Sequence, residues 1–162
     1  MSACTQDVVG AEVGQLDLAA DYLAEAAFVD LHDLAHNTRD GLHIASLAGT
    51  WLAIVAGFGG MRDHDGQLSF HPQLAPSWTR FSFGVHWRDA RIRVTVAEGE
   101  VTYRLADGGD RSVELLHCGE PFTLRTGEPV VLPVHQVKPM TPRPTQPAGR
   151  EPLNYPELVE RA

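Results

Sequence analysis

Between residues 80 and 105 apolar and polar side chains take turns along the chain. "RFSFGVHWR" puts Phe81, Phe83, Val85 and Trp87 on one face and Ser82, Gly84 and His86 on the other. "RIRVTVA" repeats the pattern with Ile92, Val94 and Val96 set against Arg93 and Thr95, and "EVTYRL" with Val101, Tyr103 and Leu105. A period of two is that of a strand with one face buried. Turn-forming residues separate the runs at Arg88-Asp89-Ala90, Glu98-Gly99 and Asp107-Gly108-Gly109-Asp110. Further strands are expected over 113–117, 121–124 and 130–134. The pattern predicts an all-antiparallel sandwich or jelly roll over about residues 66–133. Phe81, Phe83, Val85, Ile92, Val94, Val96, Val101 and Tyr103 should face its core.

The first sixty residues carry the longer period of helices. A first segment over 5–13 contains Val8, Val9 and Val13, and Gly14 interrupts it. Asp17 is the expected N-cap of a second, "LAADYLAEAAF", with Leu18, Tyr22, Leu23 and Ala26 on one face. A third helix should run from near Gly41 to about Ala56. Its apolar residues Leu42, Ile44, Leu47, Trp51, Leu52, Ile54 and Val55 go round nearly all sides, the pattern of a helix surrounded by other elements. Two short helices cannot surround it, so the sequence implies neighbours outside this chain.

Composition narrows the classes. The chain has 162 residues, 43% of them hydrophobic, and a net charge of −8. An acidic chain whose one lysine is Lys138 suits neither a nucleic-acid backbone nor a membrane surface. The opening "MSACTQDVVGAEVG" lacks the basic and apolar regions of a secretory signal, and Leu47 to Phe58 is too short and glycine-rich for a membrane span. A cytoplasmic protein without a disulfide framework is expected from this and from the two cysteines, Cys4 and Cys118.

Candidate chemistry gathers at the start of the third helix. His43 and Ser46 are three residues apart on its first turn, and Arg39 precedes them. Unpaired amides at a helix N-terminus, with a histidine, a hydroxyl and an arginine, suit an oxyanion such as phosphate. Spacing alone favours an ordinary reading: Asp40 caps the helix, Arg39 pairs with an acid, and His43 is a satisfied core residue. His32 and His36 stand at i and i+4 without the glutamate of a metalloprotease helix. His86 lacks the partners of a cupin site, so no metal is expected. No carboxylate pair, nucleophile elbow or phosphate loop stands out, and Cys4 and Cys118 are read as bystanders.

In order along the chain stand Asn37-Thr38-Arg39-Asp40-Gly41, His43, Ala45-Ser46, Gly49, Trp51, "GFGGMR" and "DGQLSFHP". This series over about residues 2–125 resembles the C-terminal region of glycoside hydrolase family 65, which holds maltose, trehalose and kojibiose phosphorylases and related hydrolases. The resemblance implies an α+β chain. Terminal helices of an (α/α) barrel would occupy 1–62, a small antiparallel β-sandwich 63–134, and an irregular proline-rich tail 135–162. It implies that the third helix belongs to that barrel, with its first turn at the active-site end. His43, with Ser46, would then face the phosphate or attacking water, and Thr38, Arg39 and Asp40 would shape the loop. The general acid, a glutamate earlier in the barrel, has no counterpart here, so no catalytic residue is assigned. Inorganic phosphate would be a co-substrate rather than a bound cofactor. The expected partners are the missing barrel or a second copy of the chain, with a disaccharide and phosphate in the intact enzyme. A fragment inactive alone is one expectation; a non-catalytic folding or interaction module is the other.

Overall fold

A computed structural model describes residues 2–34, 36–106 and 111–153. They form two compact units: the residues up to 57 together with those from 137 on, and residues 58–136. The expected turn over 107–110 and the last nine residues lie outside the described residues.

The first unit holds helices α1 (Ala3–Glu12), α2 (Leu16–Phe28) and α3 (Ile44–Leu52), the last continued by a π-helical stretch, Ala53–Phe58. α1 packs with its small residues inward. Gly10 and Ala11 are buried, whereas Val9 and Val13 are exposed. Steric fit explains why the small residues face inward. A Cβ on Gly10 would sit 3.3 Å from that of Ala19, so the two helices approach closely only through their smallest residues. α2 buries Leu18, Tyr22, Leu23 and Ala26 as its period predicts. It starts two residues earlier than expected, so Asp17 lies inside its first turn, and Gln15 holds the cap position without a side-chain bond to the helix.

Residues 137–153 of the tail are irregular, as their prolines dictate, yet they are pinned along α2. Gln15 Nε2 donates to Thr141 O at 2.7 Å, and Arg143 pairs with Asp21 at 2.7 Å. The tail thereby covers a face of α2 that would otherwise meet water.

The second unit is a sandwich of two four-stranded sheets. β1 (Arg62–His64), β2 (Gln67–Phe70), β6 (Ser112–His117) and β7 (Glu120–Arg125) form one; β3 (Arg80–Trp87), β4 (Ala90–Ala97), β5 (Glu100–Leu105) and β8 (Val130–Pro133) form the other. The register pairs Val85 with Ile92 and Val94 with Tyr103, so the alternating apolar residues share one face. Seven of the eight residues expected in the core are buried; Phe81 is half-buried at the margin, beside Trp78. The sheet is not all antiparallel. β2 runs parallel to β6, pairing Ser69 with Leu116. These strands are separated in sequence by three strands of the other sheet, so no tight turn imposes opposite directions. Where tight turns do join neighbours, the backbone is left-handed, at Asp65-Gly66 and Cys118-Gly119, as two-residue hairpins require.

Aromatic rings lock the two sheets: Phe70 lies 5.6 Å from Tyr103, and Tyr103 lies 4.8 Å from Phe122. The Tyr103 hydroxyl bonds His117 Nδ1 at 2.8 Å, and His117 Nε2 bonds Pro133 O at 2.9 Å. A carbonyl can only accept, so Nε2 carries the proton and the tyrosine donates. Burial pushes the tyrosine hydroxyl up and the imidazole down in pKa, so both stay neutral.

Candidate functional site

α2 ends at Phe28, and the chain reverses through a turn in which Asp33 and His36 adopt positive φ. His32 and His36 therefore do not share a helix face. A short 3-10 turn, Thr38–Asp40, leads into α3, whose cap position is His43 and whose first helical residue is Ile44. Asp40 does not cap α3. It stands in the 3-10 turn and pairs with Arg39 at 3.8 Å, the two side chains 72% and 87% exposed.

Two carboxylates of the turn organise this loop. Asp33 accepts bonds from the Thr38 amide at 3.0 Å and the Thr38 hydroxyl at 2.6 Å. Asp30 accepts from the His43 amide through Oδ2 at 2.8 Å and from the His43 ring through Oδ1 at 2.5 Å. These bonds hold both carboxyls below the usual range, led in each case by the side-chain donor. Asp30 is largely hidden, its side chain 8% exposed, while that of His43 is 34% exposed. Nothing among the described residues engages His43 Nε2.

The amides at the start of α3 are more occupied than a bare helix end would be. His43 N–H goes to Asp30, Ile44 N–H to Leu42 O at 3.0 Å, and Ser46 and Leu47 N–H to His43 O at 2.8 and 3.1 Å. The Ser46 hydroxyl donates to Ala26 O at 3.0 Å and would have to release it to donate to an anion. The open group of the site among the described residues is thus the Nε2 of the His43 ring. Ser46 also lines a cleft of about 410 Å³ with Glu25, Ala26, Val29 and Leu153. Burial raises the Glu25 carboxyl, against a bond from the Leu153 backbone.

Asp30, Asp33 and Glu25 escaped the sequence reading. The signal available was Asp-x-x-Asp just before the Asn-Thr-Arg-Asp-Gly-x-His series, but only the folded turn shows which donors those acids receive.

Two descriptions from one family match this chain: the central catalytic domain of glycosyl hydrolase family 65 over residues 1–52, and its C-terminal domain over 61–124. The chain belongs to glycoside hydrolase family 65. Among its family 65 relatives, a glycosyl hydrolase of Mycobacterium leprae is 51% identical over 95% of this chain and 19% of its own length. An α,α-trehalose phosphorylase of Thermoanaerobacter brockii is 35% identical over 79% of this chain and 16% of its own. The chain spans about a fifth of the length of such relatives. A solved structure bearing the name of a kojibiose phosphorylase from human microbiome covers 82% of this chain and 18% of its own, with TM-score 0.75 and 22% identity. At that identity it shows the shared fold: helices followed by the family's C-terminal sandwich.

Proposed function

We propose that these residues serve as the C-terminal fifth of a family 65 enzyme that cleaves α-linked glucosyl disaccharides by phosphorolysis or hydrolysis in the cytoplasm. His43 would stand on the side of the attacking phosphate or water. The observation that carries this reading is the His43 ring, clamped through Nδ1 and its own amide while no described residue engages Nε2. With Nδ1–H held by Asp30, Nε2 accepts from a water or a phosphate hydroxyl when the ring is neutral and donates to a phosphate oxygen when the ring is protonated. Ser46 would assist by exchanging its bond to Ala26, with Thr38, Arg39 and Asp40 shaping the approach. Phosphate would be a co-substrate, not a resident cofactor.

Inverting cleavage also needs a carboxylic acid to protonate the leaving oxygen from the opposite face of the sugar. A missing general acid costs on the order of 10²–10⁴ in rate, and the absent sugar pocket removes orientation as well. The chain alone should therefore release no glucose or glucose 1-phosphate from maltose, trehalose or kojibiose, with or without phosphate. In an enzyme that carries this segment together with the rest of the barrel, His43→Ala should raise the KM for phosphate more than that for the sugar. Turnover by the 162-residue chain alone, abolished by Glu25→Gln, would make Glu25 the acid and overturn the division of labour. The other reading, a non-catalytic module, predicts that His43→Ala changes nothing in the longer enzyme.

A further inference from the structure

We infer that Asp30 is the positioning residue of His43, holding the ring in one tautomer and one orientation so that Nε2 is the nitrogen presented to ligand. The inference rests on the assignment of His43 above and deepens it.

Two contacts to one residue are what make the clamp. The bond from the His43 amide to Oδ2, 2.8 Å, fixes where the backbone enters α3. The bond from Nδ1 to Oδ1, 2.5 Å, fixes the rotation of the ring about its side-chain torsions. An ionised carboxylate is acceptor-only, so Nδ1 must carry a proton and the neutral ring keeps its lone pair on Nε2. The carboxylate is poorly exposed, so water competes little for the same bond. The clamp is itself braced. Asp33, three residues on, holds Thr38 by the same pair of contacts, an amide and a side-chain donor. The loop from Thr38 to His43 thus hangs at both ends from acids of one turn. No other side chain among the described residues touches the His43 ring nitrogens, so its orientation depends on Asp30.

The chemical consequence is specific. Without the carboxylate the ring can rotate and its proton can move to Nε2; the carboxylate partner of a metal-bound imidazole typically matters by roughly 10–100-fold, and an effect of that order is expected here. A water or phosphate would then meet a nitrogen whose place and protonation vary.

The test uses the whole chain with 15N-labelled histidine, read by NMR. In the wild type, His43 should show a protonated Nδ1 with a far-downfield, slowly exchanging proton. Asp30→Asn keeps the shape and one acceptor but no charge, and should move that proton upfield while leaving Nδ1 protonated. Asp30→Ala should lose it and shift the ring toward the Nε2–H tautomer, with far-UV circular dichroism showing the helices retained. Titration with inorganic phosphate then separates the two claims. Perturbation of His43 Nε2 by phosphate in the wild type, weakened roughly 10–100-fold in Asp30→Ala, supports both. A changed tautomer with no phosphate response in either protein keeps Asp30 as the positioning residue and removes the oxyanion role of His43. A His43 proton signal unchanged in Asp30→Asn overturns the inference, whatever phosphate does and whether or not the alanine variant folds.

Discussion

Asp7 carries the largest unmet cost in the helical unit. It is fully buried, neither carboxyl oxygen has a hydrogen-bond partner among the described residues, and a Cβ on Gly57 would sit 2.9 Å from Oδ2. Burial alone raises its pKa from 3.8 to about 8. Between those values the folded chain holds a proton that the unfolded chain has released. Stability contributed by this group is therefore full below about pH 4 and falls as pH rises to about 8. A tenfold change in proton affinity between the two states corresponds to about 1.4 kcal/mol. Asp7→Asn should flatten the fall: thermal melts from pH 4 to 9 should show the variant more stable than wild type near pH 8 and similar near pH 4. A wild-type melting temperature that does not drop across that window would contradict a protonated Asp7. Single residues were unevenly legible in the sequence. His43 stood out because its neighbours formed a recognisable series. Asp7 and Asp30 did not, since their importance lies in what they face: Gly57 is far along the chain, and the bonds of Asp30 depend on a turn with two positive-φ residues.

At the scale of elements, strands were read more accurately than helices, for a physical reason. A sheet with one buried face demands a strict period of two, so β3, β4 and β5 fell where the alternation placed them. Helix faces are set by what packs on them. In α1 and α3 the contacts are backbone approaches through small residues, which hydrophobicity does not report. The closest approach is Gly49 of α3 against α1, where a Cβ would fall 2.2 Å from Cys4 Sγ and 2.9 Å from Cys4 Cβ. Gly49→Ala should therefore push these helices apart and lower stability by about 1–3 kcal/mol. Cys4→Ala in the same chain should recover a good part of that loss by vacating the space. Denaturant unfolding of the wild type, the two single variants and the double variant gives the coupling directly; additive single effects would show that the two residues do not share the contact. Cys4 serves here by its size. Burial raises its thiol, so it has little thiolate character.

At the scale of the whole molecule, α3 and the loop before it leave Leu42, Ile44, Leu47, Trp51 and Leu52 exposed, just where the sequence demanded neighbours. A contiguous apolar face of this kind is normally covered. We expect the isolated chain to self-associate or bind an apolar dye through this face, and Leu47→Gln with Trp51→Gln to suppress both in sedimentation and dye fluorescence. A monomer at high concentration with no dye response in the wild type would count against it. Among the described residues no helix is long and apolar enough to cross a membrane, so this face is not a spanning segment. The sandwich has the opposite character. Near its entry the Phe58 carbonyl accepts from the Gln73 amide at 2.7 Å, and near its exit the His135 carbonyl accepts from Gln73 Nε2 at 3.1 Å. One buried glutamine thus gathers both ends, as a drawstring closes a bag. A segment gathered in this way can change where its chain begins without changing what it packs. Residues 58–136 joined end to end by a few glycines and reopened at the exposed Gly119 turn should melt cooperatively, with the same circular dichroism as the uncut sandwich; that outcome would make this unit a cassette that recombination could move between genes intact.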